Sequence, residues 1–150
     1  MNEEKKLIDE LNKNIEDWKV EPIMKNRFVL DFGDFERFTM INVSKLNFDV
    51  IDDKTYWDNI TIDLYNCISP NVVYQMFETI KLQKQNNYEA PDAKILLLGP
   101  MGDIVMTYRL INPIITGGSL GDFSWENAEP NIITMCVKID DLKLMKTQGV

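Results

Sequence analysis

Between Thr55 and Asn66 the chain reads TYWDNITIDLYN, and the constraint it imposes is a period of two. Ile60, Ile62 and Leu64 fall on one side of an extended strand, and Thr61, Asp63 and Tyr65 on the other. A strand patterned this way has one dry face and one face that meets water or a partner. The dry face requires a second layer, so the pattern demands a sheet packed against something.

The same period begins at Arg27. RFVLDF and RFTMINV flank GDFE, which predicts a tight turn between two antiparallel strands. KLNFDVI alternates Leu46, Phe48 and Val50 on one side, and DDK at 52–54 is a polar turn into the strand quoted above. Further on, two apolar runs surround GPMGD, whose glycines and proline predict a hairpin turn. PIITGGSLGDFSWENAEP reads as a long glycine-bearing connection and NIITMCVKIDDLKL as one closing strand, followed by a loose tail, MKTQGV.

Two segments change period. In residues 3–18, Leu7, Ile8, Leu11, Ile15 and Trp18 recur at steps of three and four, predicting an amphipathic helix that packs on its own domain or docks on a neighbouring subunit. Pro22 ends that pattern. SPNVVYQMFETIKLQKQ predicts a second helix, with Ser69 as N-cap, Pro70 at the first helical position, and Val73, Phe77 and Ile80 as the buried stripe beside Met76. Lys81 and Lys84 suit its C-terminal dipole.

The sum is roughly six or seven strands, mostly joined by hairpins, with a helix after the fourth. The expected class is mainly β with one or two helices (α+β). It is an antiparallel β-sandwich or partly closed barrel with a flanking α-helix and an N-terminal helical arm. At 150 residues the chain can bury one proper core. The expected division is an arm over 1–26 and a β domain over 27–150.

Charge narrows the function. The net charge of −8 repels nucleic-acid phosphates, and the absence of histidine removes the commonest general base and transition-metal ligand. No apolar run is long enough to span a bilayer. The charged first eighteen residues lack a secretory signal's apolar core, so Cys67 and Cys136 are expected as free thiols and the sequons at Asn42 and Asn59 as chance.

The chemical motifs all have plainer readings. GPMG at 99–102 lacks the Lys-Ser/Thr of a phosphate loop and precedes a strand, so a turn is favoured. Asp49, Asp52, Asp53 and Asp58 lack the glycine and terminal Glu of a calcium loop. Neither cysteine has a histidine to activate it, and no spacing singles out a catalytic pair among the 24 acidic residues. Trp57, Trp125 and the tyrosines Tyr56, Tyr88 and Tyr108 fit core or subunit packing better than carbohydrate or base stacking. No catalytic residue, cofactor or metal is expected; a monomeric ligand-binding β-barrel or minor hydrolase is the reading from another class.

Over residues 55–144 the order of features resembles the tail tube proteins of contractile-tailed phages. The Trp-led strand YWDNITIDLYN is followed by the helix SPNVVYQMFETI and the loop NNYEAPDA. The hairpin at GPMGDIV then leads through MTYRLINPIITGGSLGDFSWENAEP to the closing strand NIITMCVKID. The front strands NRFVLDF and FERFTMINVSKLNF fit the family's opening hairpin less specifically, and coverage reaches about 120 residues.

The resemblance implies a virion structural protein of the tail, made in the host cytoplasm and not an enzyme. Its barrels would close into rings, hexameric in the family, that stack into a tube carrying DNA, or effectors in type VI and extracellular injection machines. Implied partners are other copies of the chain, tail sheath and baseplate proteins, with DNA passing unbound and no membrane. On that reading Leu46, Phe48, Val50, Tyr56 and Trp57 make intersubunit or inter-ring contacts. Arg109, a lone cation on an apolar strand, pairs with an acid of a neighbour. Asp49, Asp52, Asp53, Asp58 and Asp63 are the candidate channel lining. The segment NFDVIDDKTY is short for the family's inner hairpin, and the N-terminal helix is an addition. Both favour the alternative of a baseplate or neck ring of the same fold that does not polymerise.

Overall fold

The alternating segments resolve into ten strands and two α-helices among the described residues, 2–17 and 21–146, of a computed structural model. Helix α1 covers Glu3–Asp17 and helix α2 Val72–Gln83. The strands are β1 Phe28–Phe32, β2 Met40–Val43, β3 Phe48–Ile51, β4 Lys54–Trp57 and β5 Ile60–Tyr65, then, after α2, β6 Ala93–Leu98, β7 Ile104–Ile111, β8 Ile114–Ser119, β9 Ile132–Lys138 and β10 Asp141–Lys146. They form two four-stranded sheets, ordered β1-β6-β7-β10 and β2-β5-β9-β8, and a separate β3-β4 hairpin. All pairings are antiparallel.

Of the two predicted architectures, the sandwich is the one found. Its core lies between the sheets. Leu30, Ile95 and Leu110 come from one sheet, and Ile62, Leu64, Ile133 and Met135 from the other. The alternation of β5 is realised in full: Ile60, Ile62 and Leu64 are buried, whereas Thr61 and Tyr65 are exposed.

Several local expectations are corrected. The turn at GDFE forms, with Gly33 at φ 53° and Phe35 N–H donating to Phe32 O at 3.0 Å. It does not close a hairpin, because β1 then pairs with β6 and β2 with β5, each in a different sheet. The single strand expected over TYWDNITIDLYN is two, β4 and β5, broken at Asp58 and Asn59, so the helix follows the fifth strand, not the fourth. Residues 114–119, expected as connection, form β8, and the expected single closing strand is two, β9 and β10.

These last corrections share a cause. β7 and β8 are interrupted at Asn112 and Pro113, and β9 and β10 at Ile139 and Asp140. β7 pairs with β10, and β8 with β9. The four strands are thus one long ribbon that passes from one sheet into the other at a corner. Asn112 turns it with φ 52°, and its Nδ2 donates to Asp140 Oδ2 at 2.8 Å. Asp140 N–H donates to Ile111 O at 2.9 Å and closes the corner.

Helix α2 starts later than expected. Asn71, not Ser69, is the N-cap: its Oδ1 accepts from Tyr74 N–H at 2.9 Å, and the Ser69–Pro70 peptide, which is cis, precedes it. A cap on the third amide of the helix satisfies one of the donors that a first turn leaves open. The buried stripe is correspondingly Val72 and Met76, with Val73 and Ile80 half-buried against the core and Phe77 exposed. Gln83 fixes the far end of the helix. Its Nε2 donates to Ile115 O at 3.0 Å, and its Oε1 accepts from Ile115 N–H at 2.8 Å. The amide side chain thereby occupies backbone groups on β8, an edge strand whose free groups otherwise invite pairing.

Helix α1 is capped by Asn2, whose Oδ1 accepts from Lys5 N–H at 3.0 Å. Leu7 and Ile8 are both exposed. Trp18, the last residue of the predicted stripe, lies outside the described residues, as do the side chains of Leu11 and Ile15 and the tail beyond residue 146.

Candidate assembly surfaces

The hairpin formed by β3 and β4 stands apart from both sheets. Asp52 and Asp53 turn it with φ 49° and 68°. Two successive positive φ values are the mark of the two-residue turn whose twist matches flanking strands. Phe48 lies opposite Trp57, Asp49 opposite Tyr56, Val50 opposite Thr55 and Ile51 opposite Lys54. One face therefore presents Phe48 and Val50, and the other Ile51 and Tyr56; all four side chains are more than half exposed. Apolar side chains on both faces of a two-stranded ribbon have no core of their own to enter.

The base of the hairpin is fixed. Trp57 is half-buried against the core, stacks at a tilt on Phe48 with ring centroids 5.3 Å apart, and donates from Nε1 to Asp141 Oδ1 at 3.3 Å. Asp58 N–H donates to Asn47 O at 3.0 Å, and Leu46 packs on the core. The predicted contact residues therefore divide in two. Leu46 and Trp57 anchor the hairpin to its own domain, while Phe48, Val50 and Tyr56 are presented outward. Ile51, not among the candidates, belongs with the second group; its place one step out of the Leu46–Phe48–Val50 alternation hid it.

The acidic candidates are distributed along the same segment. Asp49, Asp52 and Asp53 lie exposed on the hairpin and Asp58 exposed just beyond it. Asp63 sits further along, on the outward face of β5. There its carboxylate accepts from Thr134 Oγ1 at 2.7 Å and from Asn42 Nδ2 at 3.4 Å. Arg109 has an acid in its own chain: its Nε lies 3.3 Å from Asp92 Oδ1, and Lys94 Nζ is 3.3 Å from the other oxygen. An exposed cluster of this kind adds at most about 1 kcal/mol.

The long β8–β9 loop, residues 120–131, carries a second exposed group. Phe123 and Trp125 project fully into solvent while the root of the loop is tied down. Asn131 Nδ2 donates to Leu120 O and Asp122 O at 3.4 and 3.1 Å, and its Oδ1 accepts from Asn66 Nδ2 at 2.8 Å. Gly121, at φ 77°, passes so close to Ile132 O that a side chain there would collide. The sequence alone leaves Trp125 as core or contact; its place inside a polar stretch, with no alternation around it, is the signal that separates the two.

Among the described residues no cluster of His, Cys, Asp or Glu could hold a metal ion. Cys67 and Cys136 are free and half-buried. The phenol of Tyr88 has its pKa raised by burial, and its hydroxyl finds no hydrogen-bond partner among the described residues.

The fold is thus a two-layer antiparallel sandwich with a flanking helix and a projecting apolar hairpin. Comparison with solved structures gives that fold a more particular identity. A chain of the sheath/tube terminator of PVC, an extracellular contractile injection system, superposes with a TM-score of 0.68 at 20% identity, covering 84% of this chain and 98% of that one. A chain of the PVC sheath-tube complex gives 0.66 at 20% identity over 88% and 97%. A chain of the anti-feeding prophage tube-terminating cap gives 0.63 at 18% over 85% and 93%. No protein-family model matches the chain, and no curated protein matches it in sequence. The fold is the tail-tube-like fold found in contractile injection systems.

Proposed function

We propose that this chain is a structural, non-enzymatic subunit of a contractile tail or tail-like particle, assembling into rings that stack as a tail tube. The observation that carries this reading is the β3-β4 hairpin. It is rigidly rooted through Trp57 and Asp141, yet offers apolar side chains on both faces. The outward side chains of such a device add little to the isolated chain and become useful when a second chain covers them.

The fold likeness supports, and we propose, the rest of the reading. The rings are hexameric, their neighbours in the particle are sheath and baseplate proteins, and the particle is a virion tail whose subunits are made in the host cytoplasm. Asp49, Asp52, Asp53, Asp58 and Asp63 face the channel, where like charge lets DNA pass without adhering. Residues 1–26 are an arm and 27–150 the ring-forming domain. Leu46, Phe48, Val50, Tyr56 and Trp57 belong to the contact between subunits, the first and last as its support.

One observation favours a second reading. Each arm of the hairpin is only four residues long. A short reach suits a terminal, neck or baseplate ring that does not polymerise. Negative-stain electron microscopy of the purified protein separates the readings. Long hollow tubes support the tube subunit and isolated rings the capped one; solid particles of monomer size contradict both.

A further inference from the structure

We propose that the Trp125 loop is a knob that inserts into an apolar, cation-rimmed pocket on a second copy of this chain, making the head-to-tail contact of the ring. This rests on the ring reading above and names the residues that join one subunit to the next.

The knob is the segment Leu120–Asn131. Between those positions there are three carboxylates, Asp122, Glu126 and Glu129, and no cation. At its tip Phe123 and Trp125 are exposed to 81% and 106%. Asn131 and Gly121 hold the root, so part of the ordering cost of binding is already met. A pre-positioned, fully exposed tryptophan ringed by acids is the composition of an interface anchor.

The pocket lies where the segment before β1 crosses the β6-β7 turn and the end of β10. Its apolar lining is Ile23, Leu98, Val105 and Met106, and its volume is about 310 Å³. That is at the bottom of the range of roughly 300–1,000 Å³ typical of sites that enclose a small molecule, and suits a single large side chain. Arg27 and Lys146 stand on its rim against one acid, Glu21. An apolar lining with a net positive rim complements an aromatic tip with a net negative collar.

Topology places the two features apart. The ribbon running β7-β8 and back through β9-β10 ends in the Trp125 loop at one tip and in Val105, Met106 and Lys146 at the other. Knob and pocket thus lie at the two tips of that ribbon, separated along it by the corner at Asn112 and Asp140. Complementary patches at separate places on one surface make a heterologous contact, and such a contact generates a ring when its rotation closes.

The test is mass photometry of wild type, Trp125→Ala, Arg27→Glu and Arg27→Glu combined with Glu126→Arg. Trp125 is solvent-exposed, so circular dichroism and thermal melting of Trp125→Ala should match wild type. Assembly should weaken by roughly 30-fold or more in midpoint concentration for Trp125→Ala. It should weaken less for Arg27→Glu and recover in the double variant. If wild type forms rings and Trp125→Ala forms them equally well, the knob is overturned while the ring reading stands. If wild type forms no multimer, both fall. If Trp125→Ala loses assembly but a Val105→Trp variant, which fills the pocket, assembles normally, the pocket is not the receptor and the pairing is overturned.

Discussion

Strands β3 and β5 are written in the same alternating code and meet opposite fates. Ile62 on β5 is 0% exposed, whereas Val50 on β3 is 65% exposed. Both belong to runs in which every second residue is apolar. The difference lies in what faces them. β5 is the centre of a sheet, paired with β2 and β9, and the β1-β6-β7-β10 sheet closes over its dry face. β3 pairs with β4 alone. Alternation therefore reports that a strand has a dry side; it does not report whether the same chain supplies the cover.

Substitutions can break or sharpen that comparison. Ile62→Ala removes a fully enclosed side chain and should cost about 2–5 kcal/mol, read as a lower urea midpoint of the isolated chain. Trp57→Ala touches the root shared by both regions. It loses a half-buried indole and the bond to Asp141, and about 2 kcal/mol of stability should go with it, together with hairpin order measured by hydrogen exchange. Val50→Ser should change the melting of the subunit by no more than about 0.5 kcal/mol, because nothing in the chain covers it. The same variant should nevertheless assemble less well than wild type in sedimentation velocity. A Val50→Ser variant as damaging to the monomer as Ile62→Ala would erase the distinction between the strands.

The smallest effect grows toward alkaline pH. Burial disfavours the charged form of Tyr88 and raises its pKa above the usual 10.0. The neutral phenol is favoured by the fold, so its contribution is present below pH 10.0 and is lost as pH rises through the folded value. Tyr88→Phe also removes that unpartnered hydroxyl, so it should melt at or above wild type near neutrality, with the margin widening at alkaline pH, in paired thermal scans.

What the sequence made legible were the features decided locally. The dry face of β5, the β6-β7 turn at GPMGD and a polar turn within 52–54 all follow from nearest neighbours. What it concealed was decided at a distance. β8 looks like loop in sequence because Gly117 and Gly118 carry no β propensity, yet a side chain at Gly118 would strike Thr134 O on the partner strand. The alternation of β9 runs Ile133, Met135, Val137 and Ile139 and then slips to Leu142, three residues on; that slip marks the break, but its partner at the corner, Asn112, lies in another part of the chain. Arg109 looked unpaired because Asp92 precedes the neighbouring strand β6 and reaches it only in the folded sheet. Among the contact candidates, spacing could not separate the anchors Leu46 and Trp57 from the presented Phe48, Val50 and Tyr56. That division depends on where the hairpin leaves the body.

The most direct measurement is the molar mass of the purified, untagged chain by multi-angle light scattering across a hundredfold dilution. A hairpin and pocket completed by other copies should yield one discrete multimer whose mass holds over much of that range and falls to a single subunit at the dilute end. A constant mass of about 17.5 kDa at every concentration would mean that the exposed face of β3 is left bare in solution, and would contradict assembly through it.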